Sequence, residues 1–290
     1  MSRWGAPVLL ALAAACRPAT PVPAATLIVD DAGDTVAVPV PARRVASLIP
    51  ASTELLFAIG AKGALVGRTA WCDYPAEVKT LPNLGDGINP NLEAILDRRP
   101  DLVILYNSAQ HAAVAARLRE LGIPALRLNT DALADVGRLA GLFGRLTGHE
   151  READSVTAVF DTALAAASQR RSGEAPEVLL LVWEQPPMTI GRGSFLNELV
   201  ERAGGENLFA DVAASAGAVS IEAVAVRDPD VILTTAAGPS AFANRPEWQV
   251  VPAVRRRRFL HVTGSEFNRP SPRAPGAIRE LARRLRGIVR

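Results

Sequence analysis

The sequence predicts an α/β protein of two lobes, each with a mostly parallel sheet flanked by helices, joined by one long backbone helix. Three observations lead there. Asn91–Tyr106 reads NLEAILDRRPDLVILY, and Ser220–Thr235 repeats its pattern as SIEAVAVRDPDVILTT. Short apolar runs alternate with amphipathic segments in both halves, the order that builds parallel sheets. Between the halves, apolar residues recur at helical spacing from Thr130 to Arg171.

The repeated unit has a physical grammar. Asn91 and Ser220 suit helix N-caps, and Glu93 and Glu222 place a carboxylate in the first turn, where the helix dipole favours it. Pro100-Asp101 and Pro229-Asp230 end each helix, because the residue before proline avoids the helical region. LVILY and VILTT are then short apolar strands of the buried, parallel kind. One helix–turn–strand unit used twice predicts two similar lobes with an acidic side chain at matching surface positions.

The remaining elements follow in order. Thr26–Val40 reads as a hairpin around Asp31-Ala32-Gly33-Asp34. Arg44–Leu48 is a strand, followed by a loop through Ile49–Glu54, a capped helix over Leu55–Ile59 and a glycine stop at Gly60. Leu65–Gly67 is a strand, and residues 68–90 are rich in loop signals. Ala109–Leu121 is a helix ending at Gly122, and Pro124–Leu128 is a strand. Apolar positions from Leu133 to Leu164, interrupted near Gly148, predict a helical connector of one helix, or two nearly continuous ones. In the second half, Val178–Trp183 is a strand, Glu184–Arg192 a loop, and Ser194 caps the helix Phe195–Arg202. Ala210–Val219 is a loop, Trp248–Arg256 a helical segment, Phe259–Val262 a strand, Thr263–Ala274 a loop and Pro275–Val289 the closing helix. The domain boundaries expected are 26–129 for the first lobe, 130–172 for the connector and 173–290 for the second lobe.

Residues 1–16 read as an export signal. Arg3 gives a positive start, Ala6–Ala15 is an apolar run too short to span a bilayer, and Cys16 follows Ala13-Ala14-Ala15. The segment resembles a bacterial lipoprotein signal, which predicts a lipidated Cys16 and a periplasmic or extracytoplasmic protein. Leu12 lies one position further out than the usual leucine of that signal, so cleavage to a soluble secreted form is the alternative. Residues 17–25 then form a Pro/Ala tether. Cys72 is the other cysteine of the two, so no disulfide between folded parts is expected.

A net charge of +2 over 290 residues excludes the broad basic field that nucleic-acid binding needs. Arg255–Arg258 is the strongest basic block and reads as a solvated turn. The three histidines, His111, His149 and His261, lack chelating spacing, and no dinucleotide or P-loop glycine pattern is present. No base is indicated beside Cys72. The chain therefore reads as a binding protein, not an enzyme, with no catalytic cofactor and no protein-bound metal. Its distinctive feature is large apolar side chains at strand-to-helix loops: Pro50, Trp71, Tyr74, Tyr106, Trp183, Met188 and Phe267. Open α/β sheets bind ligands at the carboxyl ends of their strands, so two facing lobes would bring these residues to one cleft.

RVASLIPASTELLFAIGAKGALVGRTAWCDYP, NLEAILDRRPDLVILY, MTIGRGSFLNELVERAGGENLF, SIEAVAVRDPDVIL and EFNRPSPR together resemble the helical-backbone class of periplasmic substrate-binding proteins, nearest to its cobalamin-binding group. The resemblance implies capture of a ligand between the lobes and delivery to the transmembrane permease dimer of an ABC importer by a monomer. It implies that Pro50 lies under the ligand, that Trp71 and Tyr106 pack on it, and that Met188 contacts it from the second lobe. Phe267 and Arg269 fall in the closing ligand-facing loop. Glu93 and Glu222 match the surface glutamates that dock on permease arginines. Tryptophans of that group have no counterpart at Gly85–Gly87 or at Ser215-Ala216. A corrinoid is the expected ligand. Haem, with Tyr74 or Tyr106 as an axial donor and Arg269 against a propionate, is the chief alternative, and a ferric siderophore the next.

Overall fold

The computed structural model describes residues 25–168, 174–212, 216–236 and 241–289. Strands β1 (Ala25–Val29) and β2 (Thr35–Pro39) pair antiparallel. Asp30 closes their turn by accepting from the Ala32 and Asp34 amides at 3.0 and 2.9 Å, the local bonding that favours aspartate in turns.

The first sheet contains β3 (Val45–Ser47), β4 (Leu65–Gly67), β5 (Leu102–Tyr106) and β6 (Ala125–Leu128), all parallel in the order β4-β3-β5-β6. Its helices are α1 (Pro50–Ala58), α2 (Leu92–Asp97) and α3 (Ala109–Glu120). Leu102 to Leu105 are all buried, as a strand covered on both faces requires. Helix α1 begins at Pro50, not after Glu54 as expected. Proline at the first helical position loses no hydrogen bond and already has helical φ, so Ser52, Thr53 and Glu54 sit inside the helix and are buried.

The predicted connector is two helices, α4 (Ala134–Thr147) and α5 (Glu150–Ala167). Gly148 adopts φ 76°, a left-handed turn that ends α4. The two helices then run back along one another, with Gly137 facing Thr157 and Gly144 facing Ala153. Helical periodicity persists on both sides of Gly148, so a continuous rod and a helical hairpin share one pattern. A Cβ at Gly144 would lie 2.7 Å from the Ala153 Cβ, so this crossing needs glycine.

The second sheet starts with β7 (Glu177–Glu184), which turns into β8 (Pro187–Thr189). Residues 187–189, expected as loop, are thus a strand, antiparallel to β7. Next come α6 (Phe195–Arg202), β9 (Glu206–Asn207), β10 (Gly217–Ala218), α7 (Ile221–Arg227) and β11 (Val231–Thr234). The predicted helix over Trp248–Arg256 is split into a 3-10 turn, Pro246–Val250, and α8 (Pro252–Arg255), because Pro252 cannot continue a preceding helix. β12 (Phe259–His261) and α9 (Ala274–Val289) complete the chain. The sheet runs β10-β8-β7-β11-β12, with β9 also parallel to β7; the β7-β11-β12 part is parallel and β8 and β10 form an antiparallel edge.

The sequence repeat is a structural repeat down to its hydrogen bonds. Asn91 and Ser220 cap α2 and α7 by accepting from the Ala94 and Ala223 amides at 3.0 and 3.1 Å. Arg99 and Asp228, each before its proline, leave the helix with φ 46°. The following aspartates bind the chain that enters the neighbouring strand. Asp101 accepts from the Arg43 and Arg44 amides at 2.8 and 2.9 Å, and Asp230 from the Glu177 amide at 2.9 Å.

One core joins the lobes. Leu55 and Leu56 of α1, Phe143 and Leu146 of α4, Phe160 of α5, Leu199 of α6 and Leu281 of α9 belong to a single buried cluster with Val45 and Val178 from the two sheets. The opposite faces of the two sheets carry separate clusters. Substituting Gly148 with Ala should cost about 1 kcal/mol, for left-handed strain alone, since its nearest neighbour would be the Pro41 Cβ at 3.9 Å. Gly144→Val should cost more, about 1–3 kcal/mol, through overpacking against α5. Urea unfolding of both variants checks the order.

Candidate functional site

The carboxyl ends of β3 and β5 bring Pro50 and Tyr106 to the same side of the first sheet. The loop over residues 68–75 crosses beside them. Its Cys72 is 2% exposed, and the thiol donates to Thr53 Oγ1 at 3.3 Å. The Trp71 amide donates to Thr69 Oγ1 at 3.3 Å. With Cys72 turned inward, Trp71 and Tyr74 project outward and are 63% and 45% exposed. The Trp71 ring lies over Gly87, whose Cβ position would be 3.5 Å from Trp71 Cδ1.

Three adjoining cavities form a cleft around these residues. One of about 510 Å³ is walled by Pro50, Trp71, Ile88, Tyr106 and His111. One of about 430 Å³ lies between Pro50, Trp71 and Asp73 on one side and Ser265, Asn268 and Arg269 on the other. One of about 560 Å³ extends from Tyr106 and Asp131 to Val182, Ile190, Phe195 and Phe267. Thr130 lines all three.

A cluster of charges ties the cleft walls together. Glu54, 2% exposed in α1, receives both Arg273 Nε at 2.7 Å and Nη2 at 2.9 Å. Arg273 also pairs with Glu266 at 2.6 Å, donates to Ser265 Oγ at 3.0 Å, and stacks 4.1 Å over the Tyr74 ring. Burial acts to lower the Arg273 pKa, but the hydrogen bond and charge of Glu54 outweigh it and raise it. Arg269 pairs with Asp73, donates to the Trp71 carbonyl at 3.1 Å and has Nε 3.6 Å from Glu54. Burial acts to raise the Asp73 pKa, and Arg269 overcomes it to hold this carboxyl below its ordinary value.

The polar groups at the cleft floor are also engaged. Tyr106 Oη donates to Asp131 at 2.7 Å. Burial, then the hydrogen bond and charge of Asp131, push its pKa up to about 12. His111 Nδ1 is 3.0 Å from the Tyr106 carbonyl. A carbonyl only accepts, so Nδ1 carries the proton and Nε2 is left as an acceptor. Among the described residues, no group of three or more His, Cys, Asp or Glu is arranged to hold a metal.

The structure brings Pro50, Trp71 and Tyr106 together on the first-lobe wall, with Arg269 and Phe267 opposite. Phe267 is 5% exposed and belongs mostly to the core. Met188 lies outside these three linings, because β8 pairs it with Trp183 of β7 and Ala218 of β10. Glu93 and Glu222 are exposed at the second position of α2 and α7. Cys16 lies outside the described residues. Sequence reasoning missed Glu54, Asp131 and Ile88. Glu54 had a signal, as a lone charge within the apolar helix ASTELLFAIG; Asp131 had none before its partner Tyr106 was placed.

The family model described as "Periplasmic binding protein" matches residues 45–265. The chain belongs to the periplasmic binding protein family. It is similar to a vitamin B12-binding protein of Vibrio parahaemolyticus, 28% identical over 252 residues, covering 86% of this chain and 92% of the relative. It is 29% identical over 251 residues to YvrC of Bacillus subtilis, named as an uncharacterized ABC transporter substrate-binding lipoprotein, covering 83% of this chain and 79% of that one. Among solved structures it resembles the periplasmic haem-binding protein RhuT of Roseiflexus sp. RS-1 in apo form, with a TM-score of 0.77 and 26% identity, covering 86% of this chain and all of that one.

The family consists of substrate-binding transport proteins, so the chain is an importer component that binds a small molecule and works with a membrane permease, not an enzyme. The two-lobe α/β expectation agrees with these neighbours. Among the described residues, no helix is long and apolar enough to cross a membrane.

Removing one partner of a buried ion pair strands the other charge. Glu54→Ala should therefore destabilise the protein by about 3–5 kcal/mol, while Glu54→Leu combined with Arg273→Met should recover most of that loss. Denaturant midpoints of the single and double variants measure the difference.

Proposed function

We propose that this periplasmic binding protein captures a corrinoid, cobalamin, in its interlobe cleft and delivers it to the permease dimer of an ABC importer. The observation that carries the choice is the pairing of an aromatic wall with a cleft lacking a spare positive charge. Among the described residues lining the three cavities, the acids are Asp73, Asp86 and Asp131, and the cation, Arg269, is already paired with Asp73. A corrin ring is broad and amphipathic, with neutral amide side chains whose N–H groups suit carboxylates and hydroxyls. Trp71, Tyr106, Pro50 and Ile88 offer apolar surface to its face. Burying about 400 Å² of apolar ligand surface corresponds to about 10 kcal/mol before the cost of association.

The vitamin B12-binding relative supports this reading; the haem-binding neighbour supports the alternative of haem. Two propionates would meet an acidic cleft, and Tyr106, whose hydroxyl donates to Asp131 and whose pKa is pushed up to about 12, holds its proton and is a poor source of a phenolate ligand. An anionic ferric siderophore faces the same shortage of free cations. In this reading Pro50, Trp71, Tyr106 and Phe267 contact the ligand, and Met188 does so only from the rim. Residues 26–129 and 173–290 serve as the lobes and 130–172 as their connector.

Glu93 and Glu222 are proposed to meet cations of the two permease subunits, because the repeat gives each lobe the same exposed acid beside a capped helix start. Rim ion pairs of this kind set orientation and association rate more than affinity. Cys16 is proposed to carry a lipid anchor on the periplasmic side, in keeping with the lipoprotein name of the Bacillus subtilis relative.

Protein mixed with cyanocobalamin or haemin and then desalted should retain the corrin spectrum. Retention of a Soret band alone would replace the corrinoid with haem. Trp71→Ala should weaken cyanocobalamin binding roughly tenfold or more, as loss of a central aromatic does, and wild-type affinity in a titration would count against the aromatic wall. Glu93→Ala with Glu222→Ala should keep ligand affinity and lower ligand uptake through the permease; unchanged uptake would sink the docking role.

A further inference from the structure

The family resemblance points Arg269 at the ligand, yet both terminal nitrogens of its guanidinium are bonded elsewhere. Nη2 pairs with Asp73, Nη1 donates to the Trp71 carbonyl at 3.1 Å, and Nε lies 3.6 Å from Glu54. The side chain is 12% exposed. All three partners belong to the first lobe, while Arg269 belongs to the second. Asp73 and Trp71 lie in the 68–75 loop, which contains no helix or strand. Trp71 is 63% exposed, so its position is set chiefly by its main chain. That main chain is held from below by Thr69 and Cys72 and from across the cleft by Arg269. Four residues on, Arg273 grips the same region through Tyr74 and Glu54.

We propose that Arg269 is a positioning residue, which fixes the Trp71 loop across the cleft and supports ligand binding without touching the ligand. A guanidinium is suited to this, because its planar fork serves a carboxylate and a carbonyl at once in fixed directions. The ammonium of lysine keeps the charge and lacks that fork. Arg269 thus acts through geometry, and the charge it carries is consumed within the protein. The inference takes its ligand from the corrinoid reading; the state of the loop is independent of it.

Two measurements test it. The first is fluorescence anisotropy of Trp71 in ligand-free protein carrying Trp4→Phe and Trp183→Phe, with buried Trp248 as a constant background. Arg269→Gln and Arg269→Lys should both lower the anisotropy and raise quenching by acrylamide, with circular dichroism unchanged. The second is a double-mutant cycle on cyanocobalamin affinity. Arg269→Gln should weaken binding roughly tenfold, within the range of coupled contacts, Asp73→Asn less, and the double variant no more than Arg269→Gln alone. Unchanged Trp71 anisotropy, or a cycle in which the two effects simply multiply, would overturn the proposal and return Arg269 to the ligand. If the wild-type protein binds no cyanocobalamin, the corrinoid reading fails, and the anisotropy result alone decides the role of Arg269. If Arg269→Gln does not fold, Arg269→Lys carries both measurements.

Discussion

The buried carboxylate of Glu54 sets the constraint on which the rest of this structure depends. It sits in α1 among Leu55, Leu56 and Ile59, 2% exposed. A charge in such a place costs several kcal/mol or more unless it is paired and hydrogen-bonded. Its partner, Arg273, comes from the other lobe and satisfies both carboxylate oxygens. The first lobe therefore has its charge matched only when the second lobe stands in this one orientation. Replacing the pair with apolar residues of similar volume need not destabilise the fold. The pair ties α1 of the first lobe to the Arg273 segment of the second, and so joins the two walls of the cleft.

Two further features fix the same arrangement by other means. The α4–α5 hairpin packs through Gly144 so closely that the helices have little freedom to slide. A single apolar core passes from the first sheet through α1, α4, α5 and α9 to the second. Hinge motions need a few residues that absorb large backbone changes while the packed surfaces separate. Here the lobes share a core and a charge cluster, and both oppose such a separation. A preformed site loses less ordering entropy on binding.

The repeat was legible in the sequence because its determinants are local. Caps, helix lengths and Pro-Asp breaks act within a few residues, and they predicted α2, β5, α7 and β11 closely. The aromatic wall was legible in part, since Tyr106 ends a strand and Pro50 and Trp71 follow strand ends. What escaped the sequence depends on tertiary partners. Helical periodicity does not record the direction of a chain after Gly148, so the hairpin read as a rod. Met188 lies in a stretch with two prolines that suggests a loop, and only pairing with β7 and β10 makes it a strand. Arg269 looked available for a ligand because Asp73 lies 196 residues away in the chain. The buried pairing of Glu54 was hidden for the same reason.

The central claim is that the two lobes are held in one arrangement, with the ligand-binding cleft formed in advance. Spin labels at exposed positions Glu120 and Glu201, one per lobe, allow the interlobe distance distribution to be recorded by pulsed electron resonance without and with cyanocobalamin. The account predicts one narrow distribution that shifts by less than about 2 Å on ligand addition, the scale of rigid partners. A broad ligand-free distribution that narrows, or a shift of many ångströms, would contradict it.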